Sequence, residues 1–395
     1  MMRDWSSVRA DGKLPLAFGL AWVGTLLWFV AWHSLIAADS PAESDAERPE
    51  PSLAEAARRW FVLGVGVHDA LPRRSEDHPL LLRHFRSVTP ENGLKPAAVQ
   101  PLEGQWHFAV PDAFVAFAQR HGLQVVGHCL VWAKDDRTPA WFYPPGQSPA
   151  DRQQLFQRLS NHIRTVVSRY RGQMAEWDVV NEALDDGTNA LRPSGWSRLC
   201  GTDFIAWAFR WAHEFDPNAM LVYNDYRNEL PGKREACFRL LRDLREQGVP
   251  VHAVGLQGHY EVDEVPYDEL ERTFEGLRAM GLRAVVSELD LDMVPRSRWW
   301  ADGGRHREEL ARWNPYPEGL PAAMLDRQAR QYARLFRLFR RYADVIERVS
   351  FWNLHDGQSW LNEFPWRRVN HPLLFDRAGK PKPAFYAVLE VLNEP

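Results

Sequence analysis

Short apolar runs alternate with longer amphipathic stretches along most of the chain, starting near residue 53. The runs are rich in β-branched residues, and the stretches between them have helical periodicity, which is typical of a parallel sheet built from βα units. The predicted strands are residues 61–68, 85–92, 124–132, 176–183, 220–226, 253–259, 283–290 and 348–356. The predicted helices are residues 111–121, 151–171, 202–215, 232–247, 267–280, 324–342 and 382–392.

Eight strand–helix units in sequence favour a closed (β/α)₈ TIM barrel over an open doubly wound sheet. The 395 residues are enough for one such barrel with loop insertions. We therefore predict a single α/β domain over residues 53–395, with no shorter internal repeat. Long loops follow the third, seventh and eighth strands, notably residues 295–321, and in a barrel such loops lie on the active face.

A different pattern precedes this domain. Residues 14–38 contain no Asp, Glu, Lys or Arg, and residues 14–32 form an apolar run long enough to cross a bilayer as a helix. Basic residues lie before the run and acidic residues follow it, so the positive-inside rule predicts an exported domain, secreted or membrane-anchored. Residues 1–38 are predicted to be an anchor or a cleaved signal, with the unusual length slightly favouring the anchor, and residues 39–52 an acidic linker.

Composition narrows the classes of partner. The net charge of −4 gives no general attraction to nucleic acid. The 18 tryptophans exceed what a core of this size needs, so some of them should line a binding surface, and sugar rings are candidate ligands. Cys129, Cys200 and Cys237 lack metal-ligand spacing, although a Cys200–Cys237 bridge stays open. We expect a monomer with no metal and no cofactor.

Polar and aromatic residues crowd the carboxyl ends of the predicted strands, where a barrel places its chemistry. Alternation of side chains puts the members of each pair, such as Gln257 with His259 and Glu288 with Asp290, on one face of a strand. The candidate site residues are Glu91, Asn92, Lys95, His128, Trp132, Asn181, Glu182, Asn224, Asp225, Gln257, His259, Glu288, Asp290, Trp352 and Trp360.

Two carboxylic acids on opposite sides of a barrel mouth are the arrangement that glycoside hydrolysis requires. Carboxyl groups about 5 to 5.5 Å apart give retention of configuration, whereas a gap of about 6.5 to 9.5 Å admits a water and gives inversion. One carboxylate must stay ionised to attack, while its charge helps the other to hold a proton. Glu182 and Glu288 are the predicted pair, with His259 and Asp290 as candidates to hold Glu288 in place and ionised.

The motifs that carry these residues resemble those of glycoside hydrolase family 10, the endo-β-1,4-xylanases. They occur in the family's order as TPENGLK at 89–95, GHCLVW at 127–132, WDVVNEALDDG at 177–187, GLQGHY at 255–260, SELD at 287–290 and FWNLHDGQSW at 351–360. The similarity runs from about residue 61 to the C-terminus and includes PLLFDRAGKPKPAFYAV at 372–388. It therefore covers nearly the whole predicted domain.

The resemblance implies a retaining endo-1,4-β-xylanase that acts on xylan without a cofactor. Glu182 matches the family's acid/base, Glu288 its nucleophile, and Asn181 the residue that hydrogen-bonds the 2-hydroxyl at the cleavage point. His259 matches the histidine beside the nucleophile. The residues that match the sugar-binding subsites are Glu91, Asn92, Lys95, His128, Trp132, Gln257, Trp352 and Trp360.

The sequence also departs from the family pattern, at Gly93, Pro96, Ala133 and Arg227, while residues 134–137 are expected to add charged contacts beside the cleft. Three tryptophans of the long loop either extend the sugar platform or cover the barrel rim.

Two other functions stay open. One is hydrolysis of cellulose or mixed β-glucan, which the bulk of Trp352 and Trp360 would oppose by excluding the C6 arm of glucose. The other is a lectin without turnover, against which the paired acids argue.

Overall fold

The computed structural model describes residues 51–187 and 190–395. The strands are β1 Val62–Val67, β2 Ser87–Pro90, β3 Gln124–Trp132, β4 Glu176–Asn181, β5 Met220–Asp225, β6 Ala253–Leu256, β7 His259–Glu261, β8 Arg283–Asp292 and β9 Ile346–Trp352. The α-helices are α1 Leu53–Ala57, α2 His78–His84, α3 Pro96–Val99, α4 Ala109–Arg120, α5 Pro149–Arg169, α6 Gly195–Cys200, α7 Asp203–Phe215, α8 Lys233–Glu246, α9 Tyr267–Ala279, α10 Arg307–Leu310, α11 Ala322–Arg341 and α12 Pro383–Asn393. The predicted anchor or signal at 1–38 and most of the predicted linker lie outside the described residues. Within residues 51–187 and 190–395, each helix is too short or too polar to cross a bilayer.

Parallel pairing closes the sheet into a barrel. In the described chain, β1 pairs with both β2 and β9, the pairs continue through β6, and β6 and β9 each pair with β8. Eight strands thus form a closed ring, which confirms the predicted (β/α)₈ architecture. The short β7 continues beyond β6 and pairs with the outer part of β8.

The sixth predicted strand is divided in the structure. Residues 253–259 were expected to be continuous, but β6 ends at Leu256 and β7 starts at His259. Gly258 between them has φ +79°, a left-handed conformation that interrupts a strand and suits glycine. Gln257 therefore lies in a bend at the barrel mouth.

The barrel is buried on both faces of its strands, as expected for a parallel sheet covered by helices. All six residues of β4 and four of β2 are buried. On the outer side, Phe336 of α11 stacks on Phe351 of β9 at 6.0 Å between ring centroids. The strand ends at the barrel mouth are where most of the predicted site residues gather.

One ion pair crosses the barrel interior. Arg348 of β9 donates from Nε to Glu176 Oε2 of β4 at 3.1 Å, and its Nη2 donates to the other carboxylate oxygen. Both side chains are at most 4% exposed. Ser350 accepts a further hydrogen bond from Arg348. Glycine at residue 64 provides the space for the Ser350 hydroxyl, because a Cβ there would lie 2.3 Å from its oxygen. The guanidinium is thus satisfied on several sides.

Replacing Arg348 with alanine should lower the free energy of unfolding by about 3–5 kcal/mol, because the buried Glu176 carboxylate then loses its ion-pair partner. Urea unfolding followed by tryptophan fluorescence measures the change. The matched control is the double variant Arg348→Met/Glu176→Leu, which removes both charges and should fall near the wild type. A single variant within about 1 kcal/mol of the wild type would contradict the argument.

The long loop after β8 carries three tryptophans with different surroundings. Trp299 and Trp313 stack on Trp366 at 5.4 and 6.3 Å between centroids, and this group packs on Val294 and Leu310. Trp300 is 48% exposed. Trp299 and Trp313 therefore cover the barrel rim, which is one of the two interpretations that the sequence allowed.

The three cysteines lie buried as free thiols. The Cys200–Cys237 bridge that the sequence left open is therefore not formed. Burial raises the pKa of the Cys200 thiol to about 11, with the Arg152 charge opposing the rise.

Candidate active site

The predicted site residues lie together at the carboxyl ends of the strands. Glu91, Asn92 and Lys95 follow β2, whereas His128 and Trp132 belong to β3. The others are Asn181 and Glu182 at the end of β4, Gln257 and His259 at the bend between β6 and β7, Glu288 in β8, Trp352 at the end of β9 and Trp360 shortly after it. The contacts between them form one connected cluster.

Both carboxylate oxygens of Glu288 are engaged. Asn224 Nδ2 lies 2.9 Å from Oε1, and His259 Nε2 lies 3.2 Å from Oε2. The amide of Asn224 is oriented by Ser287, whose hydroxyl donates to Asn224 Oδ1 at 2.7 Å. The opposite nitrogen of the His259 ring lies 2.9 Å from Asp290 Oδ2. The Glu288 carboxylate is thereby held by residues of β5 and β8 and by His259, which follows the bend between β6 and β7.

The charges around Glu288 keep it ionised. Burial alone would raise the pKa of Glu288, but the hydrogen bond from His259 and the nearby charges of His128 and His259 bring it down to about 2. Burial would likewise lower the pKa of His259, yet the Asp290 carboxylate and the contact with Glu288 raise it to about 9. At neutral pH a protonated imidazole therefore lies between two carboxylates, and His259 and Asp290 occupy the positions expected of groups that hold Glu288 in place.

These shifts predict a pH dependence of stability. The pKa of His259 rises on folding from 6.5 to about 9, so its stabilisation is complete below about pH 6.5 and is lost as the pH rises to about 9. The loss of stability from His259 should reach about 3 kcal/mol. The hydrogen bond between His259 and Glu288 contributes to both pKa shifts, so the two stabilisations are not added together. The pKa of Glu288 falls from 4.5 to about 2, so its stabilisation is present above pH 4.5 and lost towards pH 2.

Urea unfolding between pH 6 and 10 checks the alkaline limb. We expect the stability difference between the wild type and His259→Gln to shrink as the pH rises. Parallel stability curves for the two proteins would show that His259 carries no such charge.

Glu182 occupies a strained turn directly after β4. Its φ is +57°, which is uncommon for a residue with a side chain. Its N–H donates to the carbonyl of Asn224 at 2.9 Å, and its own carbonyl accepts from Arg192 Nε at 3.1 Å. The side chain is directed by Gln257, whose Nε2 lies 3.2 Å from Oε1, and by Lys134, whose Nζ lies 3.7 Å from Oε2. The turn thus places a nearly buried carboxyl group beside Gln257 and Lys134.

Side-chain amides join the two acids. Asn224 Nδ2, which contacts Glu288, also lies 2.9 Å from Asn181 Oδ1. Gln257 Nε2 lies 3.5 Å from the same Asn181 oxygen while it contacts Glu182. Glu182 and Glu288 are therefore connected through three neutral groups, and Asn224 positions the Glu288 carboxylate.

Asp225 belongs to a buried network behind Glu182. Its carboxylate accepts from Lys233 Nζ at 2.9 Å and from the Leu184 N–H at 3.3 Å. Lys233 also pairs with Asp186 at 3.0 Å, and the Tyr226 hydroxyl donates to Asp186 at 2.7 Å. These bonds hold the loop after β4, which carries Glu182. Asp225 has no contact with either catalytic candidate's carboxyl group in this network.

Three tryptophans surround the two acids in different ways. Trp132 is half-buried, with the Lys95 ammonium 4.7 Å from its ring centroid. Trp360 donates from its indole N–H to Asp290 Oδ2 at 2.7 Å. Trp352 is only 5% exposed. It packs on Gly66, where a Cβ would lie 2.5 Å from the indole. Trp132 and Trp360 offer more ring surface than Trp352 does.

The remaining predicted residues form hydrogen bonds at the edge of the cluster. Lys95 Nζ donates to Asn92 Oδ1 at 2.9 Å, and Asn353 Nδ2 donates to Glu91 at 3.2 Å. Burial raises the pKa of Glu91, with the Lys95 charge acting against it. Asn353 has φ +90°.

Several groups of the site were missed by the sequence reasoning. Asp178, whose carboxylate lies 2.8 Å from His128 Nδ1, is an acid within the fully buried strand β4, and an acid at a buried strand position is a signal that could have marked it. Arg192, which binds the Glu182 carbonyl, carries no such signal. Lys134 and Arg137 come from the charged segment that was expected beside the cleft, and the Arg137 guanidinium lies 5.4 Å from the Trp132 ring centroid.

Across residues 51–187 and 190–395, there is no group of three His, Cys, Asp or Glu side chains placed to hold a metal ion. The two histidines of the cluster each bind an aspartate through Nδ1. The chemistry available here is that of carboxyl groups, imidazole and amides.

Known proteins are similar to this chain in sequence and in architecture. The chain matches the model of glycosyl hydrolase family 10 over residues 52–391. An endo-1,4-beta-xylanase of Geobacillus stearothermophilus is 39% identical over 346 residues, covering 86% of this chain and 98% of the relative. Endo-1,4-beta-xylanase B of Paenibacillus barcinonensis is 37% identical over 342 residues, with the same coverage.

The fold comparison agrees. A family 10 endoxylanase retrieved from a sugarcane soil metagenome superposes with a TM-score of 0.79 at 36% identity, covering 87% of this chain and all of that structure. The crystal structure of a Paenibacillus barcinonensis xylanase complexed with a conduramine derivative gives a TM-score of 0.77 at 36% identity, covering 86% and 98% of the two chains. The chain is therefore a glycoside hydrolase and belongs to glycosyl hydrolase family 10.

Proposed function

We propose that the protein is a retaining endo-1,4-β-xylanase with Glu288 as the nucleophile and Glu182 as the general acid/base. The observation that carries the proposal is the unequal surroundings of two buried carboxyl groups that side-chain amides connect. His259 and Asn224 hold Glu288 as a carboxylate, whereas amides and one lysine at 3.7 Å surround Glu182. An attacking group must be ionised, while the group beside the leaving oxygen must exchange a proton.

The reaction then proceeds in two displacements. The Glu288 carboxylate attacks the anomeric carbon, and the bond to the leaving sugar breaks as Glu182 protonates its oxygen. The product is a glycosyl ester of Glu288. Glu182, now a carboxylate, removes a proton from water, which attacks the anomeric carbon and releases Glu288 with net retention. Asn181, held beside Glu182, is the group that we assign to the sugar 2-hydroxyl.

The choice of xylan rests on the relatives and on the bulk around the cavity. The relatives described above are named endo-1,4-beta-xylanases, and one in Thermoclostridium stercorarium, 34% identical, is named a thermostable celloxylanase. We infer that the bulk of Trp352 and Trp360 opposes the C6 arm of glucose, which xylose lacks. Discrimination between xylan and β-glucan is therefore the property to measure.

The protein should release reducing ends from xylan at least about 10-fold faster than from carboxymethylcellulose, because a pocket can reject one extra substituent by about 10- to 200-fold. A reducing-sugar assay at matched polymer concentration measures both rates, with Glu288→Ala as the inactive control. The reverse preference would replace xylan with glucan and leave the two-step chemistry in place. Binding of both polymers with no turnover would instead favour the lectin.

We further infer that residues 1–38 export the chain and that residues 53–395 work outside the cytoplasm. The support is the basic-to-acidic change in charge across the apolar run at 14–32. Cell fractionation of the full chain tests this, and the mass of the exported protein separates a cleaved signal from a retained anchor. Activity confined to the cytoplasm would overturn the inference.

A further inference from the structure

A groove lies on the outer flank of the barrel, away from the cluster around Glu182 and Glu288. It runs between helices α5 and α7 and is a shallow depression of about 370 Å³ that is open to solvent. Its α5 wall spans Gln153 to Arg164, which is about 17 Å along the helix at 1.5 Å per residue. The length suits an extended ligand rather than a single small ion.

The α5 wall of this flank groove is polar but nearly uncharged. Its residues recur every three or four positions, so they share one face of the helix. Three of them are carboxamides and one is a hydroxyl: Gln153, Gln157, Asn161 and Ser160. Carboxamides both donate and accept hydrogen bonds, as do the hydroxyl groups of a sugar. The lining includes one cation, Arg164, and no acid. The neighbouring Arg152 is paired with Asp203, so a neutral ligand suits the groove better than an anion.

Aromatic rings form the other wall. Trp211 of α7 lines the cavity with Phe156 of α5, at 6.3 Å between ring centroids. Trp207, one turn earlier on α7, stacks on Trp211 at 5.3 Å and is 42% exposed. Three neighbouring rings thus lie beside a row of amides, with the Arg152 guanidinium 5.1 Å from the Phe156 ring centroid and the Arg210 guanidinium 5.3 Å from that of Trp207. A pyranose has the matching faces, because its C–H groups are apolar and its edge carries hydroxyl groups.

We propose that the flank groove is a second polysaccharide-binding site, which holds a neutral β-1,4-linked pyranose chain on the outside of the barrel. The inference rests on the proposed function, since the ligand is the same polymer that the cleft cleaves. A second attachment keeps an enzyme close to an insoluble polymer by raising its effective concentration, without changing the chemistry in the cleft. The groove should therefore matter for insoluble xylan and not for short soluble substrates.

Two variants of the full chain test the groove, Trp207→Ala and Gln157→Ala/Asn161→Ala, all at exposed positions. In a Glu288→Ala background, which leaves the polymer intact, each variant should bind insoluble xylan about 3- to 10-fold more weakly in a depletion assay. In the active background, the rate on insoluble xylan should fall while kcat/KM on a soluble aryl xylobioside stays unchanged. The matched control is Tyr386→Ala, an aromatic that is 54% exposed on helix α12.

The outcomes separate the two proposals. If both groove variants bind insoluble xylan as tightly as Tyr386→Ala does, the flank groove is not a binding site, and the active protein's turnover of xylan still supports the proposed function. If the active protein does not cleave xylan at all, the proposed function fails independently. A concentration-dependent dimer in analytical ultracentrifugation that Trp207→Ala removes, without a change in xylan binding, would make the groove a contact between two copies and overturn the sugar site.

Discussion

Glu288→Ala should lose hydrolysis of every glycoside by at least about 10⁴-fold, a scale seen when a covalent nucleophile is deleted. The loss must extend to aryl glycosides with good leaving groups, because no departing group can compensate for a missing attack on the anomeric carbon. Initial rates on xylan and on dinitrophenyl xylobioside measure it. This is the largest effect that we expect from any single replacement in the chain.

The control for Glu288→Ala is its fold. The variant removes a buried carboxylate that contacts His259 and Asn224, so its unfolding curve must still be cooperative for the kinetics to be interpreted. Turnover of the aryl glycoside at more than about one per cent of the wild-type rate would place the nucleophile elsewhere. A carboxylate other than Glu288 would then have to reach the anomeric carbon.

Glu182→Ala should slow the hydrolysis of xylan much more than the cleavage of an aryl glycoside with a good leaving group. We expect a fall of about 10²- to 10⁴-fold on xylan, whose leaving sugar needs a proton, and a first step close to that of the wild type on dinitrophenyl xylobioside, whose leaving group does not. Water attack in the second step also needs Glu182, so the glycosyl ester should accumulate. A burst of dinitrophenolate followed by a slow steady state is the kinetic signature.

Mass spectrometry of the quenched Glu182→Ala reaction should locate the trapped sugar on Glu288. The matched variant Lys134→Met removes the ammonium beside Glu182 and keeps both catalytic carboxyl groups, so it should show neither the burst nor the trapped ester. A trapped ester on Glu182 in the Glu288→Ala variant would exchange the two roles and refute the assignment.

Much of the barrel could be predicted from the period of apolar residues. Strand β3 was predicted with both of its observed bounds, Gln124–Trp132, because most of its residues are apolar and seven consecutive positions are buried. The break between β6 and β7 could not be predicted, since it depends on the left-handed backbone of Gly258. Short helices such as α6 and α10 were also missed, because a few residues give too little periodicity and need tertiary contacts to form.

For the candidate site as well, features set by local sequence could be predicted, and features set by tertiary contacts could not. The pair Glu288 and Asp290 followed from alternation along β8, which is a local property. Gln257 and His259 were paired by the same argument, but they lie on either side of the left-handed Gly258, so alternation along one strand does not place them. Arg192 could not be inferred, because its contact with the Glu182 carbonyl depends on how the loop after β4 folds back. Trp352 was expected to present a stacking face, and its burial against Gly66 is a packing result that sequence spacing does not contain.

One oxygen of Asp290 accepts from both His259 and Trp360. A designer who replaces Trp360 to admit a bulkier polymer would therefore also loosen the partner that orients the imidazole next to Glu288. Breadth of substrate and speed of turnover are coupled at this atom, and directed evolution of one trait should select compensating changes near the other.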